Sequence, residues 1–348
     1  MNPGPAPDLR APLTAALAAA AGTSVEVRTL RRLAGGASQE AWRVDAAWQD
    51  ADGAMADHSL VVRRALGGRM FEHALGREAE FGAIALAHAH GVAVPQPYWY
   101  LPDVADKPAF VMQCLDGETV GRRIVRDPAL AGARAVLAAQ MGTQLGRIHA
   151  IPLDQAAFLP GPGANETPLD YSLRTLTDEL TGVEEPYPAI ELALAWLRRH
   201  APRAEAADGV TCHGDFRVGN VVVAPHGLVG VLDWEFAHRG PRGADLAFGA
   251  IRAWRFGAVR ALYGGVGTLE AFIDAYNAAA GQNLTAPDLY YWEVHANVKW
   301  AIATVTQARR HLSGAEPSME LASLGRMTAE IELETISLLD PAHPRYPY

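Results

Sequence analysis

His213-Gly214-Asp215-Phe216-Arg217-Val218-Gly219-Asn220, followed by Val231-Leu232-Asp233-Trp234-Glu235, decides the reading of this chain. The pattern HGDxxxxN…DW brings two carboxylates and an amide together. Asp215 and Asn220 bracket a short loop suited to a nucleophilic hydroxyl and one metal ion. Apolar residues 220–223 and 228–232 flank the turn signal Pro225-His226-Gly227, which predicts a β-hairpin. In an antiparallel hairpin the start of one strand lies beside the end of the other, so Asn220 is expected next to Asp233. Two hard oxygen ligands at one place suit Mg²⁺ shared between protein and substrate phosphates. A surface hairpin with ordinary loop Asp and Asn residues would explain any one of these positions, but not the whole pattern.

The same residues resemble the aminoglycoside phosphotransferase family, and within it the branch of kinase-like domains associated with acyl-CoA dehydrogenases. Gly35-Gly36-Ala37-Ser38 is similar to that branch's nucleotide loop, Leu60-Val61-Val62-Arg63-Arg64 to its third strand, and Arg77-Glu78 to the start of its first large helix. Residues 240–248, 253–257 and 311–318 extend the similarity over most of the chain. The resemblance implies an α+β, bilobal, protein-kinase-like fold. An N-terminal, mainly antiparallel β lobe with a helix would occupy residues 1–112, a hinge residues 113–117, and a larger, mainly α-helical lobe residues 118–348.

The resemblance also implies site roles, with ATP (or else GTP) and Mg²⁺ as cofactors. Asp215 would orient the acceptor hydroxyl and take its proton, while Asn220 and Asp233 would hold metal. His213 would hold the loop by hydrogen bonds, Trp234 would anchor in the core, and Asp245 would tie down the loop before its helix. Gly35, Gly36 and Ser38 lack the GKS/T of a P-loop, so their phosphate contacts would be backbone N–H groups and the Ser38 hydroxyl; glycine allows that close approach. Arg63 stands where most kinases place a lysine, and it keeps the charge in a planar fork. Glu78 is its expected partner, with Glu80 the runner-up. Arg64 is expected on the opposite face of the strand and tolerant of alanine. Backbone groups of Gln113 and Leu115 would read the adenine edge. Trp254, Arg255, Trp292, His295, Lys299 and Gln307 are candidates for the acceptor pocket. Residues 292, 295, 299, 303 and 306 share one helical face, which suits a packed core stripe with a reaching lysine equally well.

Composition bounds the rest. With 348 residues, 49% hydrophobic and 20% charged, the chain is long enough for two lobes with their own cores. A net charge of -9 argues against nucleic acid. Two cysteines, Cys114 and Cys212, make no disulfide framework and fit a reducing compartment as buried, inert thiols. Residues 1–7 lack the basic residues of a signal peptide, and no apolar run is long enough to span a membrane, so a cytoplasmic protein is expected. Strands are expected around residues 25–33, 41–44, 60–64 and 110–115, and helices over 13–21, 72–90, 136–151, 190–200, 245–254, 269–280, 287–312 and 319–339. Pro95, Pro97 and Pro102 break the pattern, and residues 153–188 read as a long loop with a short helix. The leading expectation is a kinase acting on a small-molecule hydroxyl, a hydroxyacyl-CoA or an aminoglycoside-like compound, as monomer or homodimer. A nucleotide-binding pseudokinase that serves as a partner or scaffold is the alternative.

Overall fold

The computed structural model describes residues 9–33, 39–49, 52–65, 74–183, 185–202 and 209–348. The chain divides into two compact units, Met1–Ala89 with Ala93–Asp116, and His90–Val92 with Gly117–Tyr348.

The first unit is a five-stranded antiparallel sheet with two helices. In chain order it contains α1 (Arg10–Ala21), β1 (Glu26–Arg32), β2 (Gln39–Gln49), β3 (Met55–Ala65), α2 (Arg77–Ala89), β4 (Pro97–Leu101) and β5 (Ala109–Gln113). The strand order is β1-β2-β3-β5-β4. Leu9, Leu13 and Leu17 on and beside α1 pack on one face of the sheet against Val44, Leu60, Val62 and Val111. The alternation of a strand then sends Arg63 and its cross-strand neighbour Phe110 to the other face, where Phe81 of α2 lies 6.1 Å from the Phe110 ring. β4 was not expected, because Pro97 reads as a breaker. It is tolerated there because Pro97 is the first residue of an edge strand, where a missing N–H costs no ladder bond.

The second unit is mainly helical: α3 (Gly121–Arg126), α4 (Ala131–His149), α5 (Pro168–Thr181), α6 (Pro188–Arg199), β6 (Gly209–Cys212), β7 (Val221–Ala224), β8 (Gly227–Val231), β9 (His238–Pro241), α7 (Arg242–Phe248), α8 (Leu269–Ala280), α9 (Tyr290–Leu312), α10 (Met319–Gly325) and α11 (Thr328–Leu339). The stripe Leu137, Met141, Leu145 and Ile148 is fully buried along α4. α9 runs through a core that also takes residues from α5, α6, α7 and α11. The single helix expected over 319–339 is two: α10 ends at Gly325, where a Cβ would come within 2.5 Å of the Ala308 methyl on α9. No helix among the described residues is long and apolar enough to cross a membrane.

Candidate active site

The quoted stretch forms a loop between two short strand pairs. β6 pairs antiparallel with β9 and β7 with β8, and residues 213–220 join β6 to β7. The hairpin register sets Val221 opposite Val231, and the Leu232 N–H donates to the Asn220 carbonyl at 2.8 Å. Asp233 is therefore the next residue beyond the one bonded to Asn220. It adopts the left-handed conformation, φ 68° and ψ 62°, which a short polar side chain tolerates best. The chain is pinned just after it by Trp234, 1% exposed, whose indole N–H points to the Val231 carbonyl. Trp234 is thus a core anchor.

Around Asp215 the backbone is clamped group by group. The Asp245 carboxylate on α7 accepts the N–H of His213 at 2.6 Å and of Gly214 at 2.8 Å. The Asp215 N–H donates to His213 Nδ1 at 3.2 Å, and the opposite ring nitrogen, Nε2, donates to the Leu232 carbonyl at 2.9 Å. Burial lowers the His213 pKa, consistent with a neutral ring that accepts on one side and donates on the other. Gly214 has φ 84°, and a Cβ there would lie 2.1 Å from the Phe236 carbonyl oxygen, so only glycine fits. The Asn220 amide donates to the Asp215 carbonyl at 2.9 Å and to Asp215 Oδ2 at 2.5 Å. Arg217 Nε reaches Asp215 Oδ1 at 3.0 Å, and its guanidinium lies over the Trp254 ring at 4.3 Å.

Asp245 is itself the end of a buried relay. Arg242 donates to the Tyr276 hydroxyl at 2.9 Å, that hydroxyl meets His149 Nδ1 at 2.8 Å, and His149 Nε2 lies 3.3 Å from Asp245 Oδ2. Burial pushes the Asp245 carboxyl up. Its hydrogen bond from His149 outweighs that and holds it below the usual carboxylate range. Burial lowers the His149 pKa, so a neutral imidazole orients an anionic carboxylate. Cys212 adjoins this pair. Its thiol is buried and pushed well up by that burial, whereas Cys114 is only half-buried.

In the first unit, Glu80 rather than Glu78 partners Arg63. Arg63 Nη1 lies 2.9 Å from Glu80 Oε1, and Glu80 is fully buried and also paired with Arg77. Helix register decides this: Glu78 is exposed on α2, two residues from the inward-facing Glu80. Arg64 does lie on the opposite face, yet it is 4% exposed rather than a solvated residue. It bonds Glu40 Oε2 at 2.9 Å and the carbonyls of Val104 and Ala105 at 2.7 and 2.6 Å. Gln113 donates its N–H to the Gln96 carbonyl at 2.9 Å. Gly35, Gly36 and Ser38 lie outside the described residues.

Of the acceptor-pocket candidates, most belong to the core. Trp292 is fully buried, and Gln307 is 3% exposed. Arg255 is buried against the Ala250 carbonyl and Glu293. His295 bonds Ser172 at 2.7 Å, with its pKa lowered to about 3 by burial and by Lys299. Lys299 does reach the loop: its ammonium donates to the Gly214 carbonyl at 2.5 Å. Sequence reasoning assigned no role to Arg217 or to the Arg242–Tyr276–His149 relay. Arg217 sat inside the quoted motif, but the relay draws on three distant helices and left no local signal.

Comparison with known proteins bears on the fold and the family. The chain is 28% identical over 296 residues to mouse acyl-CoA dehydrogenase family member 10, covering 79% of this chain and 26% of that protein. It thus spans about a quarter of that relative's length. A protein from Ralstonia eutropha JMP134 classed with the aminoglycoside phosphotransferases superposes with a TM-score of 0.72 at 17% identity, over 94% of this chain and 97% of that one. The GDP and kanamycin complex of APH(2″)-IIIa superposes with a TM-score of 0.58 at 13% identity, over 89% and 94%. These likenesses establish the bilobal kinase-like fold. The model of the phosphotransferase enzyme family (APH) matches residues 29–291, three-quarters of the chain, and the chain belongs to that family.

Proposed function

We propose that this chain is an ATP- and Mg²⁺-dependent kinase that moves the γ-phosphoryl group to a hydroxyl of a small molecule. The observation that carries this reading is the Asp215 carboxylate, set on a loop whose neighbouring main-chain groups are held by His213, Asp245 and Lys299. Phosphoryl transfer asks a protein mainly for positioning and charge stabilisation, and such a loop supplies the first. The acceptor hydroxyl oxygen bonds to the γ-phosphorus as the bond to ADP breaks, and the hydroxyl proton passes to Asp215. Arg217 and Asn220 occupy one lone pair on each carboxylate oxygen and fix its direction.

The donor set fits a hard cation. The Asn220 Nδ2 is committed to Asp215, which turns its amide oxygen to other use, and the Asp233 carboxylate follows directly in the hairpin. Mg²⁺ bound by these two residues would neutralise charge on the nucleotide phosphates. Arg63, oriented by Glu80, takes the α/β-phosphates, and the segment 113–117 reads the base. Gly35, Gly36 and Ser38 are assigned to the phosphates on the resemblance alone.

The cations beside the base favour an acceptor that is not itself polycationic. Arg217 bonds the Asp215 carboxylate, and Lys299 bonds the carbonyl of the residue before it. Together with the likeness to an acyl-CoA dehydrogenase family member, this supports a hydroxyacyl-CoA thioester. The test is ATP consumption by the intact chain against hydroxyacyl-CoA thioesters, macrolides and kanamycin. Turnover of the thioester above the others is expected; exclusive turnover of kanamycin would refute the acceptor class while leaving the kinase reading intact.

A further inference from the structure

We propose that Lys299 is a positioning residue for phosphoryl transfer: from α9 it holds the Gly214 carbonyl and so sets the direction of Asp215. The proposal rests on the kinase reading above. Its first support is the pattern of clamps on the loop. The N–H groups of residues 213, 214 and 215 are taken by Asp245 and His213, and the Gly214 carbonyl accepts a hydrogen bond from Lys299 Nζ at 2.5 Å. Gly214 and Asp215 share the peptide bond that carries this carbonyl, so its direction fixes where the Asp215 side chain leaves the backbone. Asp245 therefore holds one side of Gly214 and Lys299 the other, with opposite charges.

The second support is charge. The Lys299 ammonium lies over the Phe248 ring at 4.9 Å and pairs with no carboxylate among the described residues. A half-buried cation without an anionic partner gives up much of its hydration, and surface stabilisation alone does not account for that cost. The third support comes from composition. Of the 30 lysine and arginine residues, only Lys107 and Lys299 are lysine. A chain that otherwise uses arginine places a lysine where a compact point donor is needed, beside a glycine already in contact range of the Phe236 carbonyl.

The test compares Lys299→Met and Lys299→Arg with the wild type. It reads amide hydrogen exchange over residues 213–216, ATP hydrolysis without acceptor, ADP affinity and melting temperature. Lys299→Met keeps the length and removes the charge. Faster exchange in the loop is expected, with kcat lowered on the order of 10²-fold and ADP affinity unchanged, as for a base displaced by about 1 Å. Lys299→Arg should recover part of both losses. Wild-type loop exchange in Lys299→Met overturns the proposal. So does a variant that melts early and binds ADP weakly while keeping its kcat, since that pattern marks a general packing role. Faster loop exchange in a protein that proves not to transfer phosphate would leave the clamp standing and remove the kinase reading instead.

Discussion

Replacing Arg64 with alanine should damage the fold more than replacing its neighbour Arg63, while the effect on ATP should run the other way. Arg64 is 4% exposed and holds three acceptors: Glu40 and the carbonyls of Val104 and Ala105. Without it, Glu40, itself 6% exposed, keeps among the described residues only Arg32 at 4.0 Å, a residue half open to water. Removing one member of a buried pair costs about 3–5 kcal/mol, because the other charge stays buried. In a unit of this size each kcal/mol moves the melting point by roughly 4–8 °C, so a fall of ~10 °C or more is expected. Arg63→Ala leaves Glu80 with its second partner, Arg77, and should cost clearly less stability. Its loss should fall instead on the nucleotide: a charge-assisted bond worth about 1.5–3 kcal/mol corresponds to a kcat/KM for ATP lower by roughly 10- to 150-fold. Thermal melting followed by circular dichroism, with ATP kinetics well below both transitions, separates the two. An Arg64→Ala protein that melts with the wild type, or one that loses ATP handling while Arg63→Ala keeps it, would refute the assignment of the two faces of β3.

Other outcomes follow from the loop. Asp233→Ala should abolish the Mg²⁺ dependence of nucleotide binding; calorimetry that finds the same affinity and metal requirement as the wild type puts the metal elsewhere. Gly214→Ala should lose nearly all turnover, since its methyl group meets the Phe236 carbonyl at 2.1 Å in a left-handed backbone; full activity in this variant would contradict the loop geometry. Stability should also fall in mild acid. His238 is half-buried, and its pKa is lowered to about 4, mainly by desolvation and then by Lys299. Because the unfolded chain takes the proton first, this contribution is complete above about pH 6.5 and declines as pH falls toward 4, by roughly 3 kcal/mol for one such histidine. Melting curves from pH 7.5 to 4 should show that decline, and a His238→Gln variant should lessen it, the remainder coming from His149, His213 and His295, whose pKa values burial also lowers. A decline of the same size in His238→Gln would remove His238 as its source.

The loop of residues 213–220 and its hairpin were legible because their information is local: a glycine that must be glycine, an Asp–Asn spacing and a turn signal all lie within one short stretch. The large helices were legible from apolar stripes such as Leu137, Met141, Leu145 and Ile148. Three kinds of feature were not. α5 hides behind Pro and Gly in its neighbourhood, although Thr167 before Pro168 carried the N-cap signal: its hydroxyl accepts the Asp170 N–H, with proline in the first turn. Glu78 and Glu80 differ only in helix phase, which the sequence near an uncertain helix start does not fix. Arg64 read as tolerant of alanine because its three acceptors come from β2 and from the turn after β4, and neither is visible from the sequence around residue 64. Lys299 as a clamp on the loop is likewise a product of tertiary packing, and Asp245, expected to tie down the loop before its own helix, holds residues 213 and 214 instead. Lys299 on a helix stripe is compatible with a ligand contact or a core position until the structure brings Gly214 beside it.

The most direct measurement of the central claim is mass-spectrometric detection of a phosphorylated acceptor. The wild type and Asp215→Asn would each be incubated with ATP, Mg²⁺ and a hydroxyacyl-CoA thioester, and nucleotide affinity would be measured in parallel. A base of this kind contributes roughly 10²–10⁴-fold. The wild type should form the phosphate ester on the acceptor hydroxyl, and Asp215→Asn should form at least about a hundredfold less while binding nucleotide as well as the wild type. Equal phosphorylation by the two proteins would contradict the role given to Asp215. A wild type that binds ATP with Mg²⁺ but transfers phosphate to no hydroxyl compound would contradict the kinase itself.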